Sequence, residues 1–357
     1  MNKYLSDKLR IISLLLMIMV VFLHSYNLSV HFISTNITFE NGYNTFIQNF
    51  ISKGITYISV PLFFLISGYL FFLKINGRID EFIQKMGKRT KTLLIPYLLW
   101  SAWGLFFYFV LQQMAMSKNF FSHELIINYS FKQLLDTLFL NPIPYQLWFI
   151  RDLFILVILS PIIYKLIKSF KTTLIILLFI NWFFPAFSFY IVTNTSIVFF
   201  SLGAYFAITK SDILLKTQFL KYDWIVTLLW VSFVLLKTLL IQYGFDQQAV
   251  IEMIGDVGVV FGIISVWMLY DRFMTGKLKP NNTIYHLSLF SFFIFTSHEP
   301  ILTIVKKGLF SIAGTTEIIS LVVYFIAPLI TIFISVSMGY ILKRFTPKLY
   351  SLVTGAR

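Results

Sequence analysis

Apolar runs of about twenty residues recur along this chain, each long enough to cross a bilayer core as a helix. They cover residues 9–27, 54–73, 93–111, 146–164, 172–190, 196–209, 224–242, 250–270, 287–304 and 318–342. The sixth is short and the eighth carries acids. Only 12% of the residues are Asp, Glu, Lys or Arg, against 58% apolar and 41 Phe. A soluble protein of 357 residues would need far more polar surface to cover its core. The pattern excludes a soluble enzyme, a disordered tail and a secreted disulfide scaffold. It predicts an all-α fold, a polytopic transmembrane helical bundle of about ten spans. With no cysteine, thiolate metal sites and cysteine nucleophiles are also excluded.

The first run has the basic flank of a signal peptide (Lys3, Lys8, Arg10). His24-Ser25-Tyr26-Asn27 follows instead of a small-residue cleavage site, so a retained helix is expected. The net charge of +14 reads as a topology signal rather than a nucleic-acid footprint. With the N-terminus inside, Lys53, Lys118, Lys132, Lys306 and Lys307 fall outside and Arg151 and Lys237 fall within spans. The remaining 22 of the 29 Lys and Arg are cytoplasmic. That asymmetry predicts both termini in the cytoplasm. No internal repeat, low-complexity tract or soluble domain is visible, so residues 1–357 read as a single membrane domain. In the external segment from Gln112 to Tyr145, Ile127, Phe131, Leu134, Leu135 and Leu138 recur at helical spacing. They predict either an amphipathic helix lying on the outer face or a loop helix packed on the bundle.

Ionisable groups inside a span are costly and usually face a cavity or one another. Here they are His24 in the first span, Arg151 and Asp152 in the fourth, Lys237 in the seventh, Glu252 and Asp256 in the eighth, and His298 and Glu299 in the ninth. The alternating direction of the spans puts all of them in the outer half, which predicts a polar chamber opening outward; the alternative is that some, Lys237 and Glu252 first, sit at the headgroup boundary, where charge costs little. Pro300 removes a backbone donor and frees the carbonyl of Thr296, so a broken helix is expected beside His298 and Glu299. Gly68 predicts a close helix approach. The basic loop from Lys74 to Lys91 suits anionic headgroups. A sharper reading, less favoured by charge alone, is a site for a cytoplasmic anion with several phosphates, such as a coenzyme A thioester.

Five stretches then fit one pattern, in order. They are Leu9-Arg10 with a run ending in His24-Ser25; Val60-Pro61 through Ser67-Gly68-Tyr69; Lys88-Arg89 leading into Pro96-Tyr97 and Trp100; Leu147-Trp148-Phe149-Ile150-Arg151-Asp152 closed by Ser160-Pro161; and Phe292 to Pro300. With them the chain resembles the acyltransferase-3 family, bacterial integral membrane proteins that O-acylate cell-envelope sugars. One departure stands out. The family's basic residue eleven positions before the first-span histidine is Ser13 here, and Arg10 lies fourteen before His24. On a helix the two positions point within about 60° of each other, so Arg10 can share the His24 face.

The resemblance implies a multi-pass protein of the bacterial cytoplasmic (inner) membrane. Its donor would be a cytoplasmic acyl-CoA, often acetyl-CoA, and its acceptor a sugar hydroxyl; His24 would be needed for activity. An imidazole can take the acceptor's proton, so His24 is the expected general base, with His298 the second choice. Asp152 or Glu299 would orient the ring, and Arg151 would bind the thioester oxygen or an acidic sugar. Arg10, Lys85, Lys88, Arg89 and Lys91 would hold the donor, whose acyl group or pantetheine arm must reach through the bundle. The two histidines lack a third ligand for zinc, so no metal is expected. The rival expectation is a secondary transporter or flippase for an anionic or glycan-linked solute. The lack of an inverted repeat favours the enzyme.

Overall fold

The structure, a computed structural model, describes residues 3–31, 36–39, 41–114, 124–189, 191–211, 220–275, 277 and 282–356. It is all-α. In chain order the helices are α1 (Lys3–His24), α2 (Tyr43–Gln48), α3 (Ser59–Phe72), α4 (Ile79–Arg89), α5 (Ile95–Gln113), α6 (Phe131–Phe139), α7 (Trp148–Ile158) and α8 (Ser160–Phe170). There follow α9 (Thr172–Phe183), α10 (Asn194–Ile208), α11 (Asp223–Gln242), α12 (Gln248–Phe273), α13 (Thr283–Ser288), α14 (Ser291–Ala313), α15 (Glu317–Phe345) and α16 (Pro347–Thr354). A three-residue ribbon, Ser29–His31 antiparallel to Asn36–Thr38, is the extended structure among the described residues.

Five continuous helical stretches are long and apolar enough to cross a membrane: Tyr43–Phe72, Ile79–Gln113, Asp223–Gln242, Gln248–Phe273 and Glu317–Phe345. Helices α1 and α14 have the length but carry more charge, and they hold His24, His298 and Glu299. The expected fourth span is not one helix. Tyr145–Ile158 and Ser160–Phe170 meet at a 63° bend, where Pro161 cannot donate a backbone N–H. The fifth span is shorter than expected. Pro185 forces the residue before it out of the helical region, and Phe184 sits at φ −130°, ψ 81°.

The chain sorts into two compact units. The first comprises Met1–Leu23, Asn49–Arg89 and Asp152–Ser291. In it α3 and α10 pack backbone to backbone. A Cβ on Gly68 would lie 2.1 Å from the Phe200 carbonyl oxygen, and one on Gly203 would lie 2.0 Å from that of Leu65. Near the start of α1, the buried Lys8 ammonium donates to Asp271 Oδ1 at 2.7 Å and lies 4.3 Å from the centre of the Trp267 ring. Tyr4 donates to the same oxygen. Much of the expected Lys74–Lys91 loop is helix α4. Asp80 and Glu81 at its start and Lys88 and Arg89 at its end complement the helix dipole. Phe82 anchors it against Phe72 and Tyr164, while Ile79 and Ile83 are exposed.

The second unit comprises His24–Gln48, Thr90–Arg151 and Phe292–Arg357. The expected amphipathic helix of the 112–145 segment is α6. It starts at Phe131, because Ser130 and Gln133 form a reciprocal capping box, and Ile127 lies in a separate 3₁₀ turn. One side of α6 is tied to α5: Ser101 Oγ donates to the carbonyls of Thr137 and Leu138, and Tyr97 to that of Phe139. Phe131, Leu135 and Phe139 are exposed. The contacts with α5 are those of the second expected arrangement, a packed loop helix. Helix α14 breaks where Pro300 predicts: Glu299 leaves the helical region at φ −106°, ψ 132°.

Candidate active site

His24 ends α1, and a helix end leaves carbonyls without intrahelical donors. Lys306 Nζ donates to the His24 carbonyl at 2.8 Å. The chain leaving His24 is then pinned by buried polar groups. Ser25 Oγ donates to the Tyr324 carbonyl at 2.8 Å. Asn27 N donates to Gln48 Oε1 at 2.9 Å, and Gln48 Nε2 donates back to Asn27 Oδ1 at 2.9 Å and to Asn44 Oδ1 at 2.8 Å. Ser320 Oγ donates to Asn27 Oδ1 at 2.7 Å. Such closed networks fix geometry because each lost bond would strand a buried polar group.

The His24 ring stacks on His298, with centroids 5.5 Å apart and planes at 20°. It meets Tyr145 edge to face at 4.9 Å. His298 is fully buried, and its Nδ1 lies 3.1 Å from the Ile294 carbonyl oxygen. A carbonyl only accepts, so Nδ1 carries the proton in that contact and Nε2 of the neutral ring is bare. Nε2 is buried and has no hydrogen-bond partner among the described residues. Glu299 accepts from Tyr145 Oη at 3.3 Å on Oε1 and from Thr303 Oγ1 at 2.8 Å on Oε2. The Thr296 carbonyl, freed by Pro300, accepts from Gln146 Nε2 at 3.3 Å, as does the Glu299 carbonyl at 3.3 Å.

The structure therefore brings together His24, His298 and Glu299 from the sequence expectations, and adds Tyr145, Gln146 and Lys306. Lys306 was legible in retrospect: Glu299, Thr303 and Lys306 are spaced i, i+4, i+7, on one helix face. Tyr145 and Gln146 directly precede the Leu147–Asp152 stretch and carried no signal of their own.

The other candidates have different surroundings. Asp152 belongs to the first unit. It is buried, and its Oδ2 accepts from Thr193 N at 3.0 Å and Ser196 Oγ at 3.4 Å, at the start of α10. Of the two acids expected to orient His24, Glu299 is the one in its unit. Arg151 Nη1 donates to the Leu140 carbonyl at 2.6 Å, tying α7 to the end of the α6 segment. Arg10 lies over the Tyr285 ring at 4.4 Å, and its Nη1 is buried without a partner among the described residues. At about 1.5 Å rise per residue, Arg10 is about 21 Å along α1 from His24, too far to touch the same atoms. Lys85 donates to the carbonyls of Phe71 and, at 2.6 Å, Leu73, capping α3; Lys88 and Lys91 are exposed and Arg89 is half-buried. Lys237, Glu252 and Asp256 belong to the first unit, with Lys237 over the Tyr57 ring at 4.4 Å. Among the described residues, no group of three His, Cys, Asp or Glu is arranged to hold a metal.

Helices long and apolar enough to span a bilayer, and a half-buried histidine stacked on a buried one at a broken turn, fit a membrane enzyme that moves a proton. The acyltransferase domain that defines the acyltransferase-3 family matches residues 9–340, and the chain belongs to that family. It is a membrane acyltransferase. Among individual proteins it is similar to the succinoglycan biosynthesis protein ExoH of Rhizobium meliloti (strain 1021). The two are 26% identical over 314 residues, covering 86% of this chain and 81% of that protein. No solved structure matches.

Proposed function

We propose that the protein transfers an acyl group, acetyl in the simplest case, from a cytoplasmic acyl-CoA to a hydroxyl of a cell-envelope or exopolysaccharide sugar, with His24 as general base. The whole chain would act as one acyltransferase domain in the bacterial cytoplasmic membrane, with about ten spans and both termini inside. The observation that carries the reading is the meeting of His24, His298, Tyr145 and Glu299 at the broken turn of α14. The succinoglycan role named for the relative supports a polysaccharide acceptor.

In this mechanism the acceptor oxygen bonds to the thioester carbonyl carbon while its proton passes to the His24 imidazole. The tetrahedral oxyanion collapses, the C–S bond breaks, and the coenzyme A thiolate leaves with the proton from the imidazolium. Lys306, whose ammonium beside the His24 carbonyl carries three N–H donors, is suited to stabilise the oxyanion, and Arg151 is the alternative. Glu299, held by Tyr145 and Thr303, places a hydrogen-bonded carboxyl group beside the histidines. Arg10 Nη1, without a partner among the described residues, and the basic groups of Lys88, Arg89 and Lys91 would bind donor phosphates or carbonyls, with Lys85 holding α3 as well.

General-base catalysis contributes typically 10²–10⁴-fold. Replacing His24→Ala should therefore lower O-acyl groups on envelope glycans by about that factor at normal membrane expression, and full acylation in that strain would sink the assignment. Purified protein should transfer acyl groups from acyl-CoA, and unchanged donor affinity after neutralising Lys85, Lys88, Arg89 and Lys91 would remove them from the donor site. Mass spectrometry of surface glycans from a deletion strain would name acceptor and acyl group together.

A further inference from the structure

We infer that Gln146 is a positioning residue for the acyl transfer, holding open the broken turn that carries His298 and Glu299. The inference rests on the function proposed above. Pro300 has no N–H, so the buried Thr296 carbonyl has lost its helical donor, and the non-helical Glu299 leaves a second carbonyl out of the ladder. A buried carbonyl left without a donor is costly. A single backbone N–H would be hard pressed to serve two carbonyls. The Gln146 amide has two N–H groups on one nitrogen, and that nitrogen lies 3.3 Å from each oxygen.

The two gripped carbonyls bracket the segment Thr296-Ser297-His298-Glu299. Gln146 thus fixes the backbone at both ends of the turn, and its neighbour Tyr145 holds the Glu299 carboxyl. The amide cannot be flipped, because both of its contacts are acceptors. Its Oε1 is consequently left buried without a partner among the described residues, like His298 Nε2. Both atoms are acceptors, so a substrate group reaching either must donate, as a sugar hydroxyl does.

The test uses the full-length protein expressed in a deletion strain, reading ester-linked acyl groups on envelope glycan. Gln146→Leu keeps the bulk and removes both donors. The expected result is acylation about 100-fold slower at wild-type membrane levels, the scale of a misplacement near 1 Å. Gln146→Glu supplies the second readout. Its carboxylate would repel both carbonyls, whereas its protonated form can donate to one. In membranes given labelled acetyl-CoA, the Gln146→Glu to wild-type rate ratio should rise about tenfold as the pH falls from about 8 to about 5.5. A Gln146→Leu strain acylating within about twofold of wild type overturns the inference, and so does a flat Gln146→Glu ratio. If Gln146→Leu fails to accumulate, the Gln146→Glu profile decides. Failure of the wild-type gene to restore glycan acylation would overturn the function itself, and label absent from wild-type membranes with glycan acylated would overturn only the donor, leaving Gln146 to the cell assay.

Discussion

Substituting Gly68→Ala tests the packing of α3 on α10 with a sign as well as a size. The added Cβ would sit 2.1 Å from the Phe200 carbonyl oxygen. A carbon–oxygen contact needs about 3.3 Å, so the helices must part by about 1.2 Å. The obstacle is backbone, which cannot rotate away. Overpacking costs about 1–3 kcal/mol, and a rigid obstacle argues for the upper end. Against this, Ala is favoured over Gly inside a helix by about 1 kcal/mol. The net expectation is a loss of about 2 kcal/mol in unfolding free energy, measured by denaturant titration of purified protein in mixed micelles. Gly203→Ala, 2.0 Å from the Leu65 carbonyl oxygen, should behave alike. Once the helices have parted for one methyl, the second meets little, so the double variant should cost scarcely more than either single one. Gly87→Ala is the control: nothing lies within 4 Å of its added Cβ, and only the propensity gain remains. A Gly68→Ala protein stabilised as much as the Gly87→Ala protein would refute the close approach.

Two further expectations separate structure from chemistry. Lys8→Met should destabilise the protein by about 3–5 kcal/mol by stranding buried Asp271, and Lys8→Met with Asp271→Leu should recover most of that in the same titration; equal losses in both would show that the pair is not what matters. Asp152→Ala removes the acceptor for Thr193 N and should cost about 1.5–3 kcal/mol, with Asp152→Asn costing less. Loss of acylation in both variants at unchanged stability would instead support Asp152 as a catalytic residue.

The class of the protein was legible in the chain because bilayer crossing imposes a local rule. Twenty apolar residues suffice to announce a span, whatever lies next to it. The break at Pro300 was equally local, since a missing N–H acts on a carbonyl four residues back. His24, His298 and Glu299 could be singled out because charge and imidazole are costly in an apolar run. Local rules also misjudged lengths: the bend before Pro161 and the early end of α9 before Pro185 were written in prolines that the apolar runs concealed.

Partnership was another matter. The sequence alone determined that the Thr296 carbonyl would lose its helical donor; only the tertiary structure decided that Gln146, 150 positions earlier, would supply the replacement. In the same way the sequence marked Asp152 as costly to bury but not that Thr193 N and Ser196 Oγ would be its donors. Gly68 announced a tight approach but not that Phe200 and Gly203 would stand opposite. The physical reason is common to all three. Backbone connectivity sets what a residue lacks within a few positions, whereas what fills that lack depends on which distant segment packing brings within about 3 Å, the reach of a hydrogen bond.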